Sequence, residues 1–281
     1  MRTEYGHQID GEGGWGLLDL GLRGKVAAVG GASAGLGYAT AEELAREGAA
    51  VVIASRSAER IASAAERLRH AVPGADVLAV VADLSTPEGC AALIEGATAG
   101  YGGLDCLLLN GGGPKHGYAL DADDAAWHTA LDAVLLAVVR QMRLALPAML
   151  ARGGGRVLAV TSTSVRQPIP DLVLSNSLRA AVVGFLKSLA NEYAARNVLI
   201  NCLAPGRFGT ERVLSADAAR AERQGLSPEA EARRSMAQIP IGRYGEAPEY
   251  ACAATFLLSF ANTYMTGTHV YCDGGQLRTV L

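Results

Sequence analysis

The sequence predicts an α/β fold: a doubly wound parallel sheet of about seven strands, with helices on both faces, forming one domain. Three observations predict it. From Lys25 onward, apolar runs alternate with segments of helical spacing. The runs are solidly apolar rather than alternating, as strands buried on both faces must be. The first run ends in a glycine-rich turn that leads straight into a helix.

The elements follow in order. "KVAAVGG" is the first strand, and "GYATAEELAREGA" the first helix, with Gly48 as its C-terminal stop. "AVVIASR", "DVLAVVADLS" and "LDCLLLN" are the next three strands. Between them lie the helical segments "SAERIASAAERLRHA" and "PEGCAALIEGATAGYG". Residues 123–151 form one long helix or two. "GRVLAVTST" is a fifth strand, 175–195 a helix, "NVLINCLAPG" a sixth strand and "HVYCDGG" a seventh. Residues 207–245 break the alternation: they are polar, with Pro228 and several glycines, and read as a helical insertion that closes over a site. The domain thus covers 22–281, and residues 1–21 read as an N-terminal extension.

Composition narrows the function. Net charge is −3, with no basic patch and few aromatics, which argues against nucleic acid. No stretch reads as the roughly 18 uncharged apolar residues of a membrane span. The five cysteines form no C-x-x-C pair, which suits a reducing cytoplasm. The five histidines show no metal-ligand spacing, so no metal is expected.

The turn "GGASAGLG", Gly30 to Gly37, carries the first functional signal. Gly31 and Gly35 let the backbone approach a pyrophosphate, and Gly37 lets the helix pack on the strand. With Ser33 and Leu36 they present a helix N-terminus to an anion. A strand–turn–helix setting is where such a motif has meaning. At the end of the second strand an acid would hold a ribose 2′-hydroxyl, but Ser55 and Arg56 stand there. Arg56 suits a 2′-phosphate, which favours NADP(H) over NAD(H). Asp83 and Leu84 follow the third strand, at the level of an adenine. Asn110 and Gly111 end the fourth strand at the cleft. Asp83 and Asn110 equally suit strand-end caps.

The order of these pieces resembles the short-chain dehydrogenase/reductase family over residues 22–275 or so. The family's T-G-x-x-x-G-x-G motif is present with Gly30 at the threonine. Its N-N-A-G motif reads Leu109-Asn110-Gly111-Gly112. Its P-G motif is Pro205-Gly206, with Thr210 beyond it. The resemblance implies a Rossmann core, a nicotinamide cofactor contacted by Pro205, Gly206 and Thr210, and a homo-oligomer, either tetramer or dimer. It also implies an Asn-Ser-Tyr-Lys catalytic set. Here the serine is Ser162, with Thr163 and Ser164 beside it. The tyrosine position holds Ser175, the lysine position Arg179, and the asparagine falls near Val134.

Arg179 keeps the charge and reach for ribose hydroxyls, but is no proton donor near neutral pH. A serine hydroxyl at 175 is shorter and less acidic than a phenol. Lys115, His116 and Tyr118 in "GPKHGY" are candidate replacement acids, or plain loop residues. Arg207 suits an anionic substrate, or an ion pair within the insertion. The leading expectation is a reductase or dehydrogenase acting on a small-molecule carbonyl/alcohol pair. The alternatives are a non-redox lyase, isomerase, cyclase or dehydratase on the same fold, and a non-catalytic cofactor-binding subunit.

Overall fold

The computed structural model describes residues 19–279. Its centre is a seven-stranded sheet in the order β3-β2-β1-β4-β5-β6-β7, parallel throughout. The first half runs β1 (Val26–Val29), α1 (Gly35–Arg46), β2 (Ala50–Ser55), α2 (Ala58–Ala71), β3 (Val77–Val81), α3 (Pro87–Tyr101) and β4 (Cys106–Leu109). The second half runs α4 (Asp124–Leu131), α5 (Ala137–Ala151), β5 (Gly155–Val160), α6 (Val173–Tyr193) and β6 (Val198–Pro205). It ends with α7 (Glu211–Gln224), α8 (Pro228–Met236), α9 (Ala247–Leu258) and β7 (His269–Cys272).

Solidly apolar strands feed two cores. Along β1, Val26 and Ala28 face the layer of α3, α5 and α6, while Ala27 and Val29 face the layer of α1 and α9. Each strand valine withdrawn from water contributes on the order of 1.5–3 kcal/mol. Asp105 ties β1 to β4: its carboxylate accepts from the Val26 backbone N–H at 2.8 Å and from Arg152 Nε at 2.9 Å. Strand order reverses between β1 and β4, which opens a crevice at their carboxyl ends.

Three features go beyond the sequence expectations. Residues 124–151 are one continuous helix, with a single π turn at Asp132–Leu136 between α4 and α5. At 28 residues it is long and apolar enough, by length and composition, to cross a membrane, contrary to the expectation that no stretch is. Here its apolar face is spent inside the fold: Val134, Val138, Met142, Ala145 and Met149 pack into the core with α3 and α6 residues. The second feature is α9, absent from the alternating pattern; it packs on α1 and the sheet. Third, most of the expected N-terminal extension lies outside the described residues. Its last part is tied down, with Leu20 O accepting from the Phe260 N–H at 2.9 Å.

Candidate active site

At the switch point lies a cleft of about 1260 Å³. Gly31, Ser33, Ser55, Arg56, Asp83, Leu84, Asn110 and Gly111 all line it, so eight of the expected cofactor residues converge on one wall. Gly35, Leu36 and Gly37 form the first turn of α1 beside it. Thr210 stands against Gly35, where a Cβ would lie 3.6 Å from its Cγ2. Pro205 ends β6, and the Gly206 N–H donates to Cys272 O at 2.8 Å, holding that turn against β7.

The turn suits a dinucleotide because its glycine positions admit nothing larger. Gly31 and Gly35 have φ of +58° and +62°, which side chains disfavour. A Cβ on Gly30 would lie 2.5 Å from Asn110 O, and one on Gly37 the same distance from Gly31 O. Asn110 is the clasp: its Nδ2 donates to Gly30 O at 3.0 Å and to Gly31 O at 3.3 Å. Arg67, stacked on Tyr38, donates to Ser33 O at 2.9 Å and fixes the outer end of the turn. Asp83 accepts from the Ser85 N–H and Oγ at 3.0 and 2.8 Å, which holds its carboxyl below the usual range.

The catalytic positions are arranged differently. Ser162 Oγ accepts from the Ser164 N–H at 3.0 Å and so caps a short 3₁₀ turn. Buried Ser175 accepts from Arg179 Nε at 3.3 Å, and Arg179 Nη1 donates to Val160 O at 2.7 Å. Burial, with repulsion from Arg212, pulls the Arg179 guanidinium down to about 10. Ser162 and Ser175 are not among the residues lining the cleft. Arg179 lines a small cavity behind its floor, together with Val134 and Gln141.

The loop candidates separate. Lys115 lines the cleft, His116 Nδ1 faces the Asp171 carboxylate at 3.5 Å, and Tyr118 is exposed. Arg207 takes its ion-pair role: it is bound to buried Asp217 within the insertion. The sequence reading missed Arg60 and Arg212, which both line the cleft. Arg60 pairs with Glu211 of α7 at 3.2 Å. Arg212 reaches from α7 across to Gly113, where a Cβ would lie within van der Waals overlap of its guanidinium. Spacing signals neither position: Arg60 stands in the first turn of α2, and the path of α7 brings Arg212 to the cleft.

Beside Ser162, Thr161 Oγ1 meets His269 Nε2 at 2.8 Å, and Tyr271 OH meets His269 Nδ1 at 3.2 Å. Burial pushes this histidine down to about 4. Between its ordinary value near 6.5 and this one, the unfolded chain binds a proton that the folded chain does not. The stability it contributes is therefore full above about pH 6.5 and is lost as pH falls toward 4. Wild type is expected to lose more melting temperature between pH 7 and pH 5 than His269→Asn; equal losses in calorimetry would refute this.

Comparison with known proteins agrees with this geometry. The family model described as enoyl-(acyl carrier protein) reductase matches residues 31–276. The chain belongs to the short-chain dehydrogenase/reductase family. A bovine (Bos taurus) relative, dehydrogenase/reductase SDR family member 4, is 34% identical over 91% of this chain and 88% of its own. The Escherichia coli 3-oxoacyl-[acyl-carrier-protein] reductase FabG is 30% identical over 92% of this chain and 99% of its own. L-sorbose reductase from Gluconobacter frateurii, solved with NADPH and L-sorbose, superposes with a TM-score of 0.89. It shares 33% identity and covers 94% of this chain and 100% of its own. Membership in this short-chain family makes the protein an oxidoreductase by kinship and its fold a single-domain Rossmann sheet.

Proposed function

We propose that the protein is an NADP(H)-dependent oxidoreductase that transfers a hydride between nicotinamide and a small carbonyl/alcohol substrate. One observation carries this reading: the adenosine end of the cleft holds Arg56, with Arg60 one helical turn on, where a ribose-binding acid would select NAD. L-sorbose reductase and actinorhodin polyketide ketoreductase, two similar proteins solved with NADPH, support the same choice.

The residues divide the work. Gly31, Gly35 and Gly37, with the α1 N-terminus, hold the diphosphate. Arg56 and Arg60 take the 2′-phosphate. Asp83 and Leu84 flank the adenine, and Thr210 the nicotinamide end. When bound, the nicotinamide supplies or accepts the hydride. Ser162 orients the carbonyl oxygen. Arg179 donates to Ser175 Oγ, which leaves the Ser175 O–H proton free to point at the substrate. A serine is a weak acid, and the loss of a tuned acid slows such a step by about 10²–10⁴-fold without forbidding it. The positive charge of Arg179 and Arg212 offsets part of that loss by stabilising a developing alkoxide.

Two measurements test the reading. Arg56→Ala is expected to weaken NADPH about tenfold in calorimetry and to leave NADH nearly unchanged, the cost of one exposed charge-assisted contact. Equal losses would refute the 2′-phosphate assignment. NADPH consumption is expected with at least one member of a panel of ketones and aldehydes. Tight NADPH binding with no turnover across the panel would refute hydride transfer.

A further inference from the structure

Behind the cleft floor lies a second cavity of about 30 Å³, room for a single water molecule. It shares Leu84, Asn110, Gly111, Gly112 and Ala133 with the cleft, and Arg179 and Gln141 face it from opposite helices. Two polar groups here are incompletely paired. Gln141 is only 2% exposed, and its Nε2 donates to Ala137 O at 3.1 Å. Its Oε1 has no hydrogen-bond partner among the described residues. Arg179 spends Nη1 on the Val160 carbonyl and Nε on the Ser175 hydroxyl, both neutral acceptors. A half-buried guanidinium is costly to hold unless its remaining N–H groups are satisfied. An acceptor without a donor thus shares one water-sized space with a cation short of acceptors.

We propose that Gln141 is a positioning residue for Arg179, acting through one buried water. This water accepts from Arg179 Nη2 and donates to Gln141 Oε1. The amide dipole stands in for the counter-ion Arg179 lacks, and fixes the direction in which the guanidinium meets the cofactor ribose. The placement follows from the helix. Val134, at the π turn, and Gln141, two turns on, line the same cavity. Valine gives that cavity no polar group, so Gln141 is the side-chain acceptor that α5 contributes. The functional part of the inference rests on the reading of Arg179 as a cofactor contact; the water itself does not.

The test has a structural and an energetic arm. A crystal structure of the NADPH complex is expected to show one ordered water within hydrogen-bond distance of both Gln141 Oε1 and Arg179. A dry cavity would overturn the proposal. In calorimetry, Gln141→Met is expected to weaken NADPH about threefold to tenfold, and Gln141→Glu, which keeps an acceptor at the same reach, to restore most of it. In an Arg179→Met background the Gln141→Met change is expected to cost nothing further. Equal losses in both backgrounds, or none in either, would overturn the positioning role. So would a higher melting temperature for Gln141→Met, because an unpaired buried amide oxygen gains from removal and a water-bound one does not. If Arg179→Met alone leaves NADPH binding intact, the cofactor role of Arg179 fails, and the ordered water still decides the Gln141–Arg179 link.

Discussion

Asp217→Ala is expected to unfasten the insertion over the cleft while leaving the sheet folded. Asp217 is buried on α7, and three groups from three segments depend on it. Arg207, just after β6, is bound to its Oδ1, and Tyr244 OH donates to Oδ2 at 2.6 Å. Arg220 lies 3.6 Å from Asp217 and 3.2 Å from Glu231, a buried carboxylate on α8. Alanine at 217 strands two guanidinium groups against one remaining carboxylate. Breaking a buried pair from one side typically costs about 3–5 kcal/mol, because the partner charge stays behind unpaired. The cost falls on α7, α8 and their loops, since the sheet's two cores contain almost none of these residues. Hydrogen exchange across 207–245 should therefore speed up by roughly 10²–10⁴-fold, the equivalent of that energy, while β1, β4 and β5 stay protected. Uniform acceleration across the chain, or none, would show that the network does not fasten the insertion. Asp217→Asn is the informative partner variant: it keeps the volume and one acceptor oxygen, but removes the charge and turns the second oxygen into a donor, so it should loosen the insertion less than alanine does.

The same network marks where sequence reasoning stops. The strands are legible because a doubly covered sheet demands long apolar runs: β1, β3 and β4 are apolar throughout, and β5 and β6 are each interrupted by one polar residue, Arg156 and Asn201. The glycine turn is legible because its φ angles and close contacts exclude side chains. Arg207 was ambiguous in sequence, since an arginine after a strand suits an anion or an ion pair equally; Asp217, ten residues away, decides it. α9 escaped notice because "APEYACAATFLL" is apolar nearly all round and shows no polar stripe to count. Its start is set by Glu249, whose carboxylate accepts from the Glu246 N–H at 2.7 Å, rather than by a serine or threonine cap. Gln141 lay hidden for a subtler reason. The π turn at 132–136 shifts the helix register, so counting by 3.6 from Asp124 gives the wrong face for everything beyond it.

Gly37→Ala is expected to abolish useful cofactor binding with a modest loss of fold stability. One methyl group meets three obstacles: Gly31 O at 2.5 Å, Asn110 Nδ2 at 2.8 Å and Gly31 C at 3.0 Å. Two of them are backbone, and the third is the amide that clasps the turn to β4. None can retreat alone, because moving Asn110 releases Gly30 and Gly31, and moving Gly31 changes the cradle itself. Overpacking of this kind costs about 1–3 kcal/mol, and here the strain sits on the atoms that face the diphosphate. NADPH affinity should fall about 100-fold, near the top of that range, while circular dichroism stays native. Gly112→Ala supplies the contrast. Gly112 lines the same cleft, but a Cβ there meets nothing within 4 Å, so its affinity should match wild type. If the two variants bind NADPH equally, the glycine turn is not the cofactor cradle, and the anion-binding role assigned to the N-terminus of α1 falls with it.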